Sequence, residues 1–195
     1  MEFNAFEPGI EINGQIVYST VAAFPMARCV PARILFNKGI GKRVNKKFQI
    51  DDNEWYQQQV WLDVLKEMSS RFGDDALSRI GTRIAGIVPL PEWAKEIDSA
   101  IKFVNIAYHI SHKKDGKIMF DPDSGVMLDG IGHISCSRNG EEYIIVSESP
   151  YPCAFEKGII TAIVQQFKPN VSVIHDDSTP CRKNGNESCT YKVRL

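Results

Sequence analysis

The chain has 195 residues, 43% of them apolar, and a formal net charge of −1. That length suits one domain with a real core. A near-neutral balance gives no whole-chain positive field for nucleic acid or anionic lipid, and no apolar stretch approaches membrane-spanning length, so neither is an expected partner.

Residues 1–50 mix short apolar runs with Pro8, Gly9, Gly14, Pro25, Pro31, Gly39 and Gly41. They read as an irregular lead-in with short strands at Ile10–Tyr18 and Ala32–Phe36. The basic run Lys38, Lys42, Arg43, Lys46 and Lys47 reads as a solvated loop, since its glycines complete no phosphate-binding pattern. Residues 51–195 form the expected ligand-binding domain, with helices over 51–112 and a hairpin–helix–hairpin over 117–195. After Asp51 and Asp52, Trp55, Trp61, Val64, Leu65, Met68 and Phe72 recur at helical spacing up to Gly73. A second helix starts near Asp74 and carries Leu77, Ile80 and Ile84. A third follows Pro91, with Trp93, Ile97, Ile101, Val104 and Tyr108 on one side.

From Lys117 the period changes to that of strands. Asp129–Ser137 and Glu141–Ser147 flank Arg138-Asn139-Gly140, a strong hairpin signal. Pro152 starts a helix with the stripe Phe155, Ile159, Ile163 and Phe167. Strand Val171–Asp177, a turn around Asn184-Gly185 and strand Ser188–Arg194 close the chain. The fold class is α+β: an antiparallel sheet of two hairpins joined by a helix, covered by the N-terminal helices.

Three of the five cysteines fall in this last unit. Alternation along a strand puts 171, 173 and 175 on one face, and 189, 191 and 193 on one face of the final strand. Val171, Val173, Tyr191 and Val193 mark those faces as inward. His175 and Cys189 then point toward the helix that Cys153 begins, and Cys181 can swing in from the turn. Cys153, Cys181, Cys189 and one further donor make a closed tetrahedral set of the zinc type. From spacing alone, two other readings stay open: small buried apolar cysteines, and a Cys181–Cys189 disulfide. A reducing compartment disfavours the disulfide, and with no secretory segment evident the expected location is cytoplasmic.

PYPCAFEKGII, the strand ending in HDD, and CRKNGNESCTYKV resemble the C-terminal half of 4-vinyl reductase domains, over about residues 90–195. That superfamily includes ligand-sensing domains of aromatic-catabolism activators, and its fold is shared with haem-based nitric oxide sensors and transport-particle subunits. The resemblance implies an enclosed apolar pocket and a homodimer, with Trp55 and Trp61 as candidate surface residues. In phenol-sensing relatives a glutamate three residues before the second cysteine completes a zinc site. Ser178 stands there in this chain, so the fourth donor passes to His175, with Asp176 and Asp177 behind it.

The candidate pocket residues are His109, His133, Trp93, Phe103, Tyr108, Tyr143 and Phe155, the histidines serving as hydrogen-bond partners or haem iron ligands. The same residues fit an ordinary core. No nucleophile elbow, paired-histidine zinc motif or dinucleotide fingerprint is present, and FDPDSG reads as a polar turn. The expected function is a small-molecule sensor for an apolar, aromatic or tetrapyrrole ligand, with a structural zinc, signalling through a separate effector. Its rivals are a tetrapyrrole vinyl reductase or its accessory, and a haem-based gas sensor.

Overall fold

The computed structural model describes residues 2–45 and 47–195; Lys46 of the basic run lies outside the described residues. In chain order the elements are β1 (Ile10–Asn13), α1 (Gly14–Ala22), α2 (Cys29–Asn37), β2 (Lys42–Val44), β3 (Lys47–Gln49), β4 (Trp55–Gln57), α3 (Gln58–Phe72), α4 (Asp74–Ala85) and α5 (Ile97–Ile110). There follow β5 (His112–Lys114), β6 (Lys117–Ile118), β7 (Phe120–Asp121), β8 (Val126–Met127), β9 (Ile134–Asn139), β10 (Glu142–Ser147), α6 (Cys153–Val164), β11 (Ser172–His175) and β12 (Cys189–Arg194).

The expected α+β class holds, with two four-stranded antiparallel sheets, β4-β1-β5-β6 and β11-β12-β10-β9. The second is the hairpin–helix–hairpin unit. Its β9–β10 turn is the two-residue connection Gly140-Glu141, with Gly140 at φ +61°. A glycine with positive φ at the first central position matches the twist of a hairpin.

The N-terminal 50 residues differ from the expected lead-in. Ile10–Tyr18 is a strand only as far as Asn13, whose side chain accepts from the Gln15 N–H and starts α1. Ile16, Val17, Thr20 and Val21 then repeat at i, i+1, i+4 and i+5, and all four are buried. A continuous apolar face wins over the β preference of its branched residues. Ala32–Phe36, read as a strand, lies within α2 and buries Ala32, Ile34 and Leu35. The helix expected from Asp51 starts at Gln58, because Trp55–Gln57 pairs with β1 in the register Trp55↔Asn13 and Gln57↔Glu11.

The largest core cluster joins Ile10, Ile12, Ile16 and Trp61 from the first half to Tyr151 and Phe155 from the second. A second cluster under the C-terminal sheet contains Tyr143, Ile145, Val173, Tyr191 and Val193. The halves are clamped where α4 crosses α6. A Cβ on Gly81 would sit 2.0 Å from the Phe155 carbonyl oxygen, and one on Gly158 would sit 2.2 Å from that of Ser78. The two glycines let the helix backbones touch. Trp61, one of the two expected dimer-surface residues, is fully buried and so is core.

Candidate ligand pocket and metal centre

Helix α5 runs between the two halves and presents Phe103, Val104, Ala107 and Tyr108 to a cavity of about 80 Å³, with its C-cap residue Ser111 beside them. His112, the first residue past the helix turn, joins that face. From the other side α6 contributes Phe155, Glu156, Ile159, Ile160 and Ile163, again one helical stripe. Ile12, Ile16, Trp61, Ile84 and Val88 close the N-terminal wall. Among the described lining residues Glu156 is the one acid, and none is Lys or Arg.

The polar groups in this apolar setting form two clusters. His112 is 1% exposed; its Nδ1 is 2.6 Å from the Tyr108 carbonyl oxygen and its Nε2 is 2.7 Å from the Tyr151 hydroxyl. Burial pulls its pKa down to about 4, so the ring is neutral. Gln58 Nε2 donates to the same hydroxyl at 3.1 Å. Burial also drives the Tyr151 phenol pKa well up. In the second cluster Glu156 accepts from Ser147 Oγ at 2.5 Å, from Ser149 Oγ, and from the Tyr191 hydroxyl at 2.8 Å. Burial outweighs those three donors and raises its carboxyl pKa to about 7.

The expected pocket residues divide. Phe103, Tyr108 and Phe155 line the cavity. Trp93 does not: it is 53% exposed in the segment before α5 and rests edge-on against Phe103 at 5.8 Å. The helix it was assigned to begins at Ile97, where Glu96 and Ser99 form a capping box. Tyr143 lies under the C-terminal sheet with its hydroxyl bonded to Asp98. His109 is buried but turned away from the cavity, its Nδ1 2.8 Å from the Asn105 carbonyl and its ring stacked on His133 at 4.9 Å. His133 pairs with Asp129 at 3.1 Å near the surface. Sequence reasoning missed His112, Tyr151, Gln58 and Glu156; the signal available was the i, i+4 step from Tyr108 to His112.

At the start of α6 the cysteines and His175 converge. Their ligand atoms lie within 4.8 Å of one another. The sulfur separations are 3.4 Å for Cys153–Cys181, 3.3 Å for Cys153–Cys189 and 3.8 Å for Cys181–Cys189. All five cysteines are free thiols. A tetrahedral zinc with sulfur bonds of about 2.3 Å has an edge of about 3.8 Å, close to these separations. His175 Nδ1 is bonded to the exposed Asp177 at 2.7 Å, while Nε2 is buried without a hydrogen-bond partner. Cys153 shares a proton with Cys189, which lowers the Cys189 thiol to about 5 and raises that of Cys153. Burial works against the charged ring of His175, but the Cys189 and Asp177 side chains outweigh it and raise its pKa, so a metal ion would take the place of that proton. Imidazole nitrogen and thiolate are the donor chemistry a soft divalent ion requires. Glu2 Oε1 accepts from the Cys153 N–H at 2.9 Å, capping α6 from the other end of the chain. Asp176 does not join the set; it pairs with Lys192 at 2.6 Å.

No family model matches the chain, and no curated protein matches it in sequence. Solved structures do. An H-NOX protein from S. oneidensis in the Fe(II) ligation state, carrying a triple mutation, gives a TM-score of 0.65 at 13% identity, covering 94% of this chain and 96% of that one. The same organism's H-NOX protein in the Fe(II)NO state gives 0.63 at 12% identity, covering 93% and 98%. The Fe(II) unliganded H-NOX protein from K. algicida gives 0.60 at 9% identity, covering 94% and 96%. These overturn the resemblance to 4-vinyl reductase domains, and the homodimer expected from that family loses its support. The segments that carried it all lie in the C-terminal half, whereas the structural match spans both halves. No helix among the described residues is long and apolar enough to cross a membrane. At these identities the likeness establishes the fold, and that fold is the H-NOX fold.

Proposed function

We propose that the chain is a sensor domain that holds a small molecule in the cavity between α5 and α6 and carries a structural zinc on Cys153, His175, Cys181 and Cys189. The observation that carries this reading is a polar pair, His112–Tyr151, backed by Gln58 and with Glu156 nearby, set in the wall of an otherwise apolar cavity. Helix α6 belongs to both sites: Cys153 is its first residue, and Phe155 to Ile163 line the cavity. A ligand that displaces α6 therefore acts on the metal centre, and a separate effector would read that change. Four protein donors leave a zinc no open position, so its part is to hold the β11–β12 end to α6.

Haem-based gas sensing is the second reading. It is favoured by the similar structures, H-NOX proteins in Fe(II) and Fe(II)NO ligation states. One feature of this chain agrees with it: a neutral buried histidine whose second nitrogen is fixed by a backbone carbonyl, the usual disposition of an iron ligand. Haem would supply an iron to bind a diatomic gas there. The room and charge do not fit. The cavity of about 80 Å³ is well short of the roughly 300 Å³ at which sites for larger ligands begin. Haem carries two carboxylates, and the lining offers an acid and no cation.

Metal analysis and absorption spectra of protein made without a histidine tag decide between the readings. One zinc per chain and no Soret band after incubation with haemin support the first. A stoichiometric Soret band that disappears in His112→Ala overturns the haem-free form. Protein that folds fully with no bound divalent ion overturns the zinc assignment.

A further inference from the structure

The hydrogen bonds at the cavity run in one direction. The Tyr108 carbonyl can only accept, so His112 carries its proton on Nδ1 and Nε2 is a bare acceptor. The Tyr151 hydroxyl therefore donates to Nε2 and accepts from Gln58 Nε2. The run ends on an amide whose oxygen, Gln58 Oε1, is buried without a hydrogen-bond partner. Interiors rarely leave such an acceptor unused. One rearrangement uses it: the amide turns over and Tyr151 redirects its proton to Oε1. His112 Nε2 is then open to a different donor.

Resting on the reading of this cavity as the sensing pocket, we propose that its ligand is a small uncharged molecule with an apolar body and one O–H or N–H donor. It binds by taking the place of the Tyr151 hydroxyl on His112 and passing that hydroxyl to Gln58. The apolar walls of Ile84, Val104 and Ile159 suit the body of such a molecule. A lining with no Lys or Arg disfavours an anion. A volume of about 80 Å³ admits only a few heavy atoms. Signal and selectivity then share one element, since Gln58 is the first residue of α3 and its amide has two hydrogen-bonded states.

Four probes of equal size and different chemistry test this on the zinc-supplemented chain of 195 residues: 2-propanol, acetone, isobutane and acetate. Binding is read from the indole N–H resonance of Trp61, whose ring centroid is 5.4 Å from that of Tyr151. The expected order puts 2-propanol ahead of acetone, with acetate not bound. Tyr151→Phe leaves Nε2 unpaired, so the affinity ratio of 2-propanol to isobutane should rise about tenfold. In His112→Phe that ratio should fall to the value set by size alone. If isobutane binds but the ratio is the same in wild type and Tyr151→Phe, or if acetate competes, the donor assignment is overturned and the pocket reading survives. If none of the four binds, the pocket reading fails and takes this inference with it.

Discussion

Glu156→Gln tests the electrostatics of the buried interior most directly. The carboxyl pKa is raised by burial from 4.5 to about 7. Between those values the folded chain holds a proton that the unfolded chain has lost, so this group's contribution to stability declines as pH rises through that window. The span of about 2.5 pH is worth about 3.4 kcal/mol as an upper figure. His112 works in the opposite sense. Its pKa is lowered by burial from 6.5 to about 4, so the unfolded chain binds the extra proton and this group's contribution grows as pH rises from 4 to 6.5. That again spans about 3.4 kcal/mol. The two slopes oppose each other between pH 4.5 and 6.5, and from these two groups the wild type should be nearly flat there. Glu156→Gln removes one slope. Ser147 and Ser149 still donate to the amide oxygen, and the Tyr191 hydroxyl, 3.3 Å from the Cys153 carbonyl, can turn to donate there while accepting from the new amide. Urea unfolding of both proteins at pH 5 and pH 8 gives the difference directly, and shared effects such as metal affinity cancel. The variant should gain about 2–3 kcal/mol on the wild type between pH 5 and pH 8. An equal difference at both pH values would falsify the assignment of Glu156 as a carboxyl held neutral by burial.

If the proposed zinc site is right, Cys181→Ser should abolish zinc binding, with a lower melting temperature that added zinc does not restore; metal content and circular dichroism check both. Gly158→Ala forces a methyl to within 2.2 Å of the Ser78 carbonyl oxygen and should cost about 2–3 kcal/mol or prevent folding. An unchanged melting temperature there would mean the α4–α6 contact is looser than described. Thr20→Val removes the acceptor 3.0 Å from the buried Trp61 indole N–H and should cost about 1–3 kcal/mol, read by chemical unfolding.

The C-terminal unit was legible in the sequence because its signals are local. Side-chain alternation set the faces of β11 and β12, and that alternation alone brought His175 to the cysteine side. The first half was harder for a physical reason: Ile16 to Val21 satisfy both strand and helix preferences, and the Asn13 cap decides between them. The cavity was least legible. His112 meets Tyr151 across 39 residues, and Tyr191 meets Glu156 across 35, so their partnership arises only once α5, α6 and the sheet come together. Trp93 and Tyr143 have the composition of pocket residues but not the position. Aromatic content measures how much surface a chain can bury, not where a void is left.

The notch where α4 meets α6 has a bearing on how a signal would leave the molecule. Helices separated by interleaved side chains can accommodate a small shift by changing rotamers, and the motion dies out within a layer. Here the main chains of two helices bear on each other through Gly81 and Gly158, with nothing compliant between them. A tilt of one would therefore be passed to the other with little room for side chains to absorb it, which makes the outer surface of α4 the first place to look for a moving face.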